Sequence, residues 1–291
     1  MIQITSTQSS LYAAIKAKNG TWFDRAKKRT SHYRALRSYG GGSEFWGDIK
    51  EVYIDLQHEK CAYCEMKLAG KKLASKVHEV EHFRPKSRVS KWPVKAAKGL
   101  VQFSPPCKVG NANASGYYLL SYHPLNYLIA CTRCNSTLKS DYFPIRGRRN
   151  VRGGDPTKLS TEDALLLYPL GTIDVDPSTL IRFDGVLAVP ARKKGKNYER
   201  ALVNIEFFKL NHEDLTTRRA QIVALLWDAL RTIEVPSLPK DLRNAHQLRI
   251  DLATDSRSEF SACARDFVEL YGRDSALAGQ YGALAQNLIG R

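Results

Sequence analysis

The sequence predicts an α+β protein that is mostly helical, with a core clamped by a four-cysteine zinc site between two helical regions. Apolar residues recur at three- and four-residue spacing near both ends of the chain, which is the pattern of a helix with one buried face. The middle of the chain is irregular, is rich in glycine, proline and lysine, and contains two closely spaced cysteine pairs. We therefore divide the chain into an N-terminal helical region (1–58), a central region (59–150) and a C-terminal region (151–291).

The N-terminal region is predicted to be helical. Residues 13–15 form a short apolar patch, and Ser43 is the predicted N-cap of a helix that follows it. The apolar residues of that helix fall at three- and four-residue spacing, and they are Phe45, Ile49, Val52 and Leu56. We expect these residues to form its buried face.

The C-terminal region is predicted to start with a linker and short strands. Residues 151–168 form the linker, and Ser160 opens a helix-initiation signal within it. The Asp184-Gly185 dipeptide lies between short apolar runs and predicts a hairpin.

Helices are expected from about residue 196 to the end. Asn211 is the predicted cap of a long amphipathic helix. Two more helices are predicted near 240–252 and 257–289, the second with a break around Tyr271-Gly272. The sequence of this region is compatible with docking of a partner protein and equally with a purely structural role in supporting the core.

Positive charge is concentrated in the first half of the chain. With 45 Lys+Arg and 29 Asp+Glu, the formal net charge is +16. Residues 1–160 contain 28 basic and 11 acidic residues, a net +17, whereas residues 161–291 contain 17 and 18, a net −1. A local surplus is typical of a protein that meets a polyanion, because each neutralised phosphate releases counterions. A merely soluble basic protein would not confine its surplus to one half, so we expect a nucleic-acid partner.

No membrane span or secretion signal is expected. The chain has no run of about 18 apolar residues, and its start lacks a charged segment followed by an apolar core. The sequence therefore predicts a cytoplasmic protein. Because thiols stay reduced in that compartment, its six cysteines are better explained as metal ligands or buried small side chains than as disulfides.

Two CxxC motifs predict a structural zinc site. They are Cys61-Ala-Tyr-Cys64 and Cys131-Thr-Arg-Cys134. Their spacing is that of a closed site with four thiolates. Four unrelated buried cysteines are the alternative, but the other two, Cys107 and Cys263, show no such pairing. The motifs are separated by 66 residues, more than the roughly 15–20 residues of simple zinc ribbons, so another element is expected between them.

The segment HEVEHFRPKS lies between the motifs and allows two interpretations. Its first five residues spell HExxH, the motif of zinc metalloproteases, whereas Glu81-His82 followed by Pro85 is typical of half of a nuclease site. The protease motif needs one continuous helix through both histidines. Pro85 biases the residue before it away from helix, and no third zinc ligand follows at a recognisable spacing. The protease interpretation is therefore disfavoured, and His78 and Glu79 are expected to have no metal role.

Around the second cysteine pair the sequence resembles the HNH endonuclease family. The family pattern is matched in order by CAYC, EH, Asn126 and CTRCN, over about residues 59–145. The resemblance implies a two-stranded hairpin and a helix around one catalytic divalent metal, the ββα-metal motif, with the four-cysteine zinc as an external clamp. Residues 88–118, punctuated by proline, glycine and asparagine, are expected to form an insertion in this domain.

A closer resemblance covers about residues 45–220, and its later parts are looser. The segments EHFRPKS, LNYLIACTRCNSTLKSDYFPI, LLLYP and LNHEDLTTRR are similar to the HNH nuclease subunit of Septu-type and retron-associated anti-phage systems, the PtuB-like proteins. In those systems the nuclease works with an ATPase partner. The resemblance therefore implies the effector nuclease of a bacterial anti-phage defence system, with DNA as substrate, RNA still open, and an ATPase as partner.

The resemblance also implies a role for each matching residue. His82 matches the general base that takes a proton from the attacking water, a task that suits the pKa of histidine. Asn126 matches the middle asparagine, which holds the hairpin so that the base points correctly. Glu81, where the family usually has Asp, and Asn135, in place of the final histidine, match the ligands of a catalytic Mg²⁺ or Mn²⁺. The longer arm of Glu81 leaves its direct ligation open.

Basic residues near these positions are expected to hold flanking phosphates, which positions a nucleic acid without reading its sequence. They are Arg84, Lys86, Arg133 and Lys139.

Some alternatives stay open. His82 as a structural histidine, the asparagines as turn caps and His123 as a rival ligand are the competing interpretations. A non-catalytic zinc module that binds nucleic acid or a partner protein predicts the same zinc site and charge. The two functions differ at His82, because only the nuclease requires it for cleavage.

Overall fold

Helices dominate both ends of the chain, and two small antiparallel strand pairs lie between them. The structure is a computed structural model that describes residues 1–70, 80–94 and 103–290. The predicted class, α+β and mostly helical, is confirmed. In the part of the chain described, no helix combines the length and the apolar character that crossing a membrane requires.

The N-terminal region consists of helices α1 (Gln8–Lys18), α2 (Trp22–Leu36) and α3 (Lys50–Leu56). A capping box begins α1: the Thr7 hydroxyl accepts from the N–H of Ser10, and the Ser10 hydroxyl accepts from the N–H of Thr7. Helix α1 buries Leu11 and Ile15. The predicted apolar patch at residues 13–15 thus contributes Ile15 to the core.

Helix α3 is entered later than the sequence predicts. Ser43 does not cap it, because the chain becomes helical only at Trp46, in a 3-10 turn that leads into α3. The ring of Phe45 stacks on that of Tyr122, with centroids 4.2 Å apart. Packing of Phe45 against the core therefore sets the start of the helix. The predicted apolar face is buried at Phe45, Ile49 and Val52.

The central region contains β1 (Val80–His82), β2 (Tyr127–Ile129) and a π-helical segment (Arg133–Lys139). Strands β1 and β2 pair antiparallel, with Glu81 opposite Leu128, and both strands are fully buried. In the π-helical segment the N–H of Ser140 donates to the carbonyl of Asn135 over 2.6 Å. The order of the elements is strand, strand and helical segment.

Gln57, directly after α3, binds the outer edge of β2. Its amide donates to the carbonyl of Ile129 over 2.7 Å, and its oxygen accepts from the N–H of the same residue over 2.8 Å. The Tyr53 hydroxyl adds a hydrogen bond of 2.8 Å to the carbonyl of Pro124. Because unpaired backbone groups are costly to bury, these contacts fix α3 against the strand pair.

The segment predicted as a linker folds into the core. Its helix-initiation signal gives only a 3-10 turn, Ser160–Glu162, and residues 165–167 are fully buried without regular secondary structure. The Glu162 side chain is also buried, in an ion pair with Arg84. Burial of these side chains overrides the local helix signal.

The C-terminal region consists of strands β3 (Ile181–Asp184) and β4 (Leu187–Pro190) and helices α4 (Lys196–Phe207), α5 (Glu213–Ile233), α6 (Lys240–Thr254), α7 (Ser261–Arg273) and α8 (Ser275–Ile289). The predicted hairpin is confirmed, because β3 and β4 pair antiparallel across a turn in which Gly185 has a φ of 57°. The last two helices are separated at Asp274, two residues beyond the predicted break.

The cap of α5 differs from the prediction. The side chain of His212 accepts a hydrogen bond from the N–H of Asp214 and so begins the helix. Asn211 is engaged elsewhere, because its amide oxygen and nitrogen bind the N–H and the carbonyl of Ala188 in β4. The asparagine therefore joins the hairpin to the start of α5.

Buried contacts link the central and C-terminal regions. The ammonium of Lys60 donates to the carbonyls of Ser256 and Ser258 over 2.5 and 2.9 Å. Phe208, after α4, stacks on Tyr63 with ring centroids 4.0 Å apart. The boundaries after residues 58 and 150 stay a prediction.

Candidate active site and metal centre

Four cysteine side chains meet beside the first strand pair. The sulfur atoms of Cys61, Cys64, Cys131 and Cys134 lie within 4.8 Å of one another, and all four residues are buried. The sulfurs of Cys64 and Cys131 are 3.8 Å apart. This is about the separation of two thiolates that bind one tetrahedral Zn²⁺ at about 2.3 Å. The two CxxC motifs therefore form one cluster that can hold a metal such as zinc.

Backbone hydrogen bonds fix the loops that carry these cysteines. The N–H of Cys61 donates to the carbonyl of Met66 over 3.0 Å, and that of Ala62 donates to the carbonyl of Ile129 over 3.1 Å. On the other loop, the N–H of Asn135 donates to the carbonyl of Cys131 over 2.9 Å. The cluster is thus continuous with β2 and with the start of the π-helical segment.

His82 ends β1 and is packed between two aromatic rings. Its imidazole meets Trp46 and Tyr127 edge to face, with centroids 4.8 and 5.1 Å away. Its Nε2 atom lies 3.1 Å from the carbonyl oxygen of Ser121. Because a carbonyl only accepts, Nε2 carries the hydrogen of the neutral ring and Nδ1 keeps its lone pair. Burial first, and the charge of Lys86 second, hold the pKa of His82 well below its usual value.

Glu81 and Lys139 form a buried ion pair beside His82. The Lys139 ammonium lies 3.1 Å from Oε1 of Glu81 and 3.4 Å from the carbonyl oxygen of His82. Burial raises the pKa of Glu81 and lowers the pKa of Lys139, and the attraction between the two charges opposes both shifts. The hydroxyl of Tyr63 also binds Oε1, over 3.4 Å. Within the described residues, Oε2 is the carboxylate oxygen left for a further partner.

Asn126 ties the loop after β1 to the start of β2. Its side-chain oxygen accepts from the N–H of Arg84 over 2.8 Å. Its amide donates to the carbonyls of Arg84 and Leu120 over 3.0 and 3.1 Å. The backbone N–H of Phe83 donates to the carbonyl of Asn126 over 2.9 Å. These bonds fix the two residues that directly follow His82.

An open cleft of about 540 Å³ lies beside β1. The cleft is lined by β1, by the loop that follows β1, by the π-helical segment and by the two residues after that segment. The lining residues are Val80, Glu81, His82, Pro85, Lys86, Ser87, Arg88, Asn135, Ser136, Ser140 and Asp141. The predicted metal ligands Glu81 and Asn135 and the predicted base His82 therefore share one cleft. A concave site with convergent polar and titratable groups is the usual place for chemistry or ligand binding.

Two of the four predicted phosphate contacts are held inside the protein. The Nε atom of Arg84 lies 3.0 Å from a carboxylate oxygen of Glu162, and both side chains are buried. Lys139 is buried against Glu81. The predicted role does not fit these positions, because each cation already neutralises a buried carboxylate.

The other two predicted contacts differ in whether they line the cleft. The guanidinium of Arg133 donates to the carbonyl of Lys209 over 3.1 Å, and Arg133 is absent from the cleft lining. Lys86 lines the cleft, with its ammonium 4.5 Å from the centre of the Trp46 ring. A role in holding phosphate therefore fits Lys86 and does not fit Arg133.

His78 and Glu79 lie outside the described residues, so the expectation that they have no metal role stays a prediction. His123 is absent from the cleft lining. Its Nδ1 accepts from the N–H of Leu125 over 3.2 Å and caps a 3-10 turn, and burial lowers its pKa to about 4. These positions do not make His123 a rival for the cleft.

Sequence reasoning missed two groups that shape the site. Glu162 accepts from Arg84, from the hydroxyl of Tyr117 and from the N–H of Asn150, the last two over 2.8 Å. The carbonyl of Ser121 fixes the tautomer of His82. An acidic residue just before the apolar segment 164–168, and after the basic 146–152 stretch, is a signal for the first group. No sequence pattern identifies the second, because any residue has a carbonyl.

Replacing Lys139 by methionine should destabilise the fold strongly. Methionine is similar in length but leaves the Glu81 carboxylate buried without its cation, a change that costs about 3–5 kcal/mol in buried pairs. Urea denaturation without added divalent metal should show the free energy of unfolding falling by about that amount.

The matched control for this change is the double variant Glu81→Gln with Lys139→Met. It removes both charges together, so it should recover most of the stability that Lys139→Met loses. Exposed ion pairs contribute below about 1 kcal/mol to stability. If Lys139→Met alone lowers the free energy of unfolding by no more than that, the two charges are not buried against each other.

The fold and the site define a class of α+β protein in which a four-cysteine cluster that can hold a metal lies beside a cleft with a carboxylate, a histidine and an asparagine. The chain is similar to the Septu protein PtuB of Bacillus mycoides (strain KBAB4), with 27% identity over 230 residues. The alignment covers 77% of this chain and 65% of that protein. The predicted resemblance to PtuB-like proteins is confirmed. No protein-family model and no solved structure matches the chain.

Proposed function

We propose that this chain is an HNH endonuclease that hydrolyses phosphodiester bonds in DNA with a divalent metal. One observation carries the proposal: Glu81 and His82 at the end of β1 line the same open cleft as Asn135 of the π-helical segment. The strand pair followed by a helical segment is compatible with a ββα-metal core. The neighbouring four-cysteine cluster matches the external zinc clamp that such a core would have.

His82 is the proposed general base. Its Nε2 atom is engaged with the carbonyl of Ser121, so Nδ1 is the nitrogen that can take a proton from water. Packing between Trp46 and Tyr127 restricts the ring to one orientation. As Nδ1 takes the proton, the water oxygen bonds to phosphorus and the bond to the leaving oxygen breaks. The leaving oxygen takes a proton from solvent water and becomes a hydroxyl group, the other product is a phosphate monoester, and the imidazolium returns its proton to the solvent.

Asn126 is proposed as the positioning residue of this site. It does not line the cleft, but its amide holds both backbone groups of Arg84. These hydrogen bonds fix the chain two residues after His82 and therefore the direction in which β1 ends. Its expected effect on cleavage acts through the placement of His82.

Glu81 and Asn135 would hold the divalent ion through oxygen atoms. A carboxylate and an amide oxygen are hard donors that suit Mg²⁺ or Mn²⁺. Oxygen Oε2 of Glu81 is left over by the contacts of Lys139 and Tyr63, and Asn135 lines the same cleft. Two protein ligands suffice for Mg²⁺, which keeps several waters and binds substrate phosphates. When bound, the ion supplies charge that polarises the scissile phosphate and stabilises the leaving oxygen.

Lys86 and Arg88 are proposed to bind the phosphates next to the scissile one. Both line the cleft, and the Arg88 side chain is 70% exposed beside Asp141. Contacts of this kind position the backbone of a nucleic acid without selecting its sequence. They take the role that the sequence suggested for Arg84 and Lys139.

We further propose that the chain acts in the cytoplasm as the effector of an anti-phage defence system, together with an ATPase partner. The support is the similarity to the Septu protein PtuB, of which the alignment covers 65%.

A non-catalytic zinc module that binds nucleic acid or a partner protein is the second candidate. The ion pair between Glu81 and Lys139 favours it, because a lysine already neutralises the carboxylate that a catalytic metal would use. This candidate predicts DNA binding and zinc content without cleavage.

Cleavage of defined substrates separates the two candidates. The purified chain is incubated with plasmid DNA, linear duplex DNA, single-stranded DNA and RNA, both alone and together with the protein encoded next to it. We expect cleavage of DNA in Mg²⁺ or Mn²⁺ and none when the divalent metal is omitted. DNA binding without cleavage in every combination would establish the zinc module instead, and cleavage of RNA alone would overturn the proposed substrate.

A further inference from the structure

Helix α2 presents a basic face to solvent. The helix contains five basic residues and a single acidic one, Asp24. Lys27, Lys28 and Arg34 are exposed. Lys27 and Arg34 are seven residues apart, so they lie on the same side of the helix, with Lys28 next to them. Within residues 1–70, 80–94 and 103–290, the ion pair that α2 forms is that of Arg25 with Asp48, and these three cations form none.

A second basic segment lies against this helix. Arg148 and Arg152 are exposed in the loop that leads to Gly154. A Cβ atom at Gly154 would lie 3.9 Å from Nη2 of Arg34, so the loop reaches α2. The loop is anchored by Arg149, whose guanidinium binds the hydroxyl of Tyr117 over 2.9 Å. The loop therefore reaches the basic face of α2 at Gly154, two residues after the exposed Arg152.

The same surface continues to the cleft. Tyr39, just beyond the end of α2, has its ring centre 5.5 Å from the ammonium of Lys86, which lines the cleft. Gly116 packs directly on the backbone of Arg88, where a Cβ atom would lie 2.5 Å from the nitrogen. The residue after Gly116 is Tyr117, which binds Arg149 of the basic loop. Tyr39, beyond the end of α2, and Tyr117, which binds Arg149, therefore adjoin residues of the cleft.

We infer that these exposed cations form a phosphate track that guides double-stranded DNA into the cleft. The track consists of Lys27, Lys28, Arg34, Arg148 and Arg152. The role of the track in guiding DNA rests on the proposed nuclease function. The identity of its ligand is inferred from the charge and the position of these cations. Phosphates are the complement of exposed cations without carboxylate partners, and such contacts supply most sequence-independent affinity for DNA.

Two features favour a duplex over a single strand. Helix α2 has 15 residues and is therefore about 22 Å long, which matches about six base pairs at 3.4 Å each. Binding of unpaired bases normally uses exposed aromatic rings for stacking. The aromatic residues Trp22, Phe23 and Tyr33 of α2 are buried or half-buried and His32 is its one exposed ring, so the helix offers more exposed cations than rings for stacking.

The test compares two triple variants with equal loss of charge. Lys27→Gln with Lys28→Gln and Arg34→Gln neutralises the α2 face, and Arg192→Gln with Lys193→Gln and Lys194→Gln neutralises exposed cations of the C-terminal region. Both are made in the His82→Ala protein, and binding to a short DNA duplex is measured without divalent metal at several salt concentrations. Neutralising the α2 face should raise the Kd for the duplex roughly tenfold. The number of counterions released on binding, taken from the slope of log Kd against log salt concentration, should fall by about two to three. The control triple variant should change the Kd by less than about twofold.

Each result decides for or against the phosphate track. Equal weakening by both triple variants would overturn it, because net charge alone would then explain the binding. Unchanged duplex binding by the α2 variant would also overturn it, and so would a loss confined to single-stranded DNA or RNA. If the wild-type chain cleaves no DNA but the α2 variant still loses duplex binding, the phosphate track stands and the nuclease function fails.

Discussion

Replacing His82 by alanine should abolish DNA cleavage while the fold, the zinc content and the affinity for DNA remain. His82 is the one histidine in the lining of the described cleft, and loss of a general base lowers rate constants by about 10²–10⁴-fold. The measurement is the rate constant of plasmid cleavage at saturating protein in Mg²⁺, with any required ATPase partner present. The hydrogen bond to Ser121 is also lost, at about 1 kcal/mol, so the unfolding free energy is measured beside the activity.

His123→Ala is the matched control for this change. His123 also lies close to Asn126, but its imidazole caps a 3-10 turn and does not line the cleft. Cleavage by His123→Ala should stay near the wild-type rate. Equal cleavage by wild type and by a folded His82→Ala protein would contradict the role of His82 as the base.

Replacing Cys61 by alanine should release the bound zinc and unfold the central region. Cys61 is buried, and its sulfur is one of four that meet within 4.8 Å. Zinc binding to structural sites contributes about 10–16 kcal/mol in zinc-finger peptides, which is comparable with the whole stability of a domain, about 5–15 kcal/mol. Metal analysis of the purified protein and thermal unfolding should therefore show loss of zinc and of the cooperative transition of the core.

Cys107→Ala is the control for the zinc site. Cys107 is half-buried and is no member of the four-cysteine cluster. It should keep one zinc per chain and melt close to wild type. A Cys61→Ala protein that also retains one zinc and the wild-type unfolding transition would show that the four cysteines are plain buried side chains.

The four-cysteine cluster and the cleft residues could be predicted from the sequence because both depend on local spacing. A CxxC motif has the spacing of half of a tetrahedral four-thiolate site, and the cluster joins both motifs across 66 intervening residues. The Glu81-His82 pair was identified by its order relative to those motifs. The hairpin at Gly185 followed from turn chemistry in the same way.

The buried surroundings of Arg84 and Lys139 could not be predicted from the sequence. Arg84 and Lys139 stand next to motif residues, where a basic side chain suggests phosphate contact, but each is buried against a carboxylate. The partner of Arg84 is 78 residues away in sequence, so only the tertiary fold brings the two charges together. The same reason explains why Ser43 and Asn211 do not cap the helices that follow them. Packing of Phe45 in the first case, and a hydrogen bond from β4 to Asn211 in the second, override the local capping signal.

The position of a bound Mn²⁺ ion is the most direct test of the proposed nuclease centre. Crystals of the His82→Ala protein with a DNA duplex and Mn²⁺ allow anomalous scattering to distinguish manganese from zinc. We predict zinc at the four cysteines and one manganese in the cleft, bound by Glu81 and Asn135 and by a phosphate of the DNA. A cleft without manganese, in which Lys139 still pairs with Glu81 while DNA is bound elsewhere, would contradict the centre.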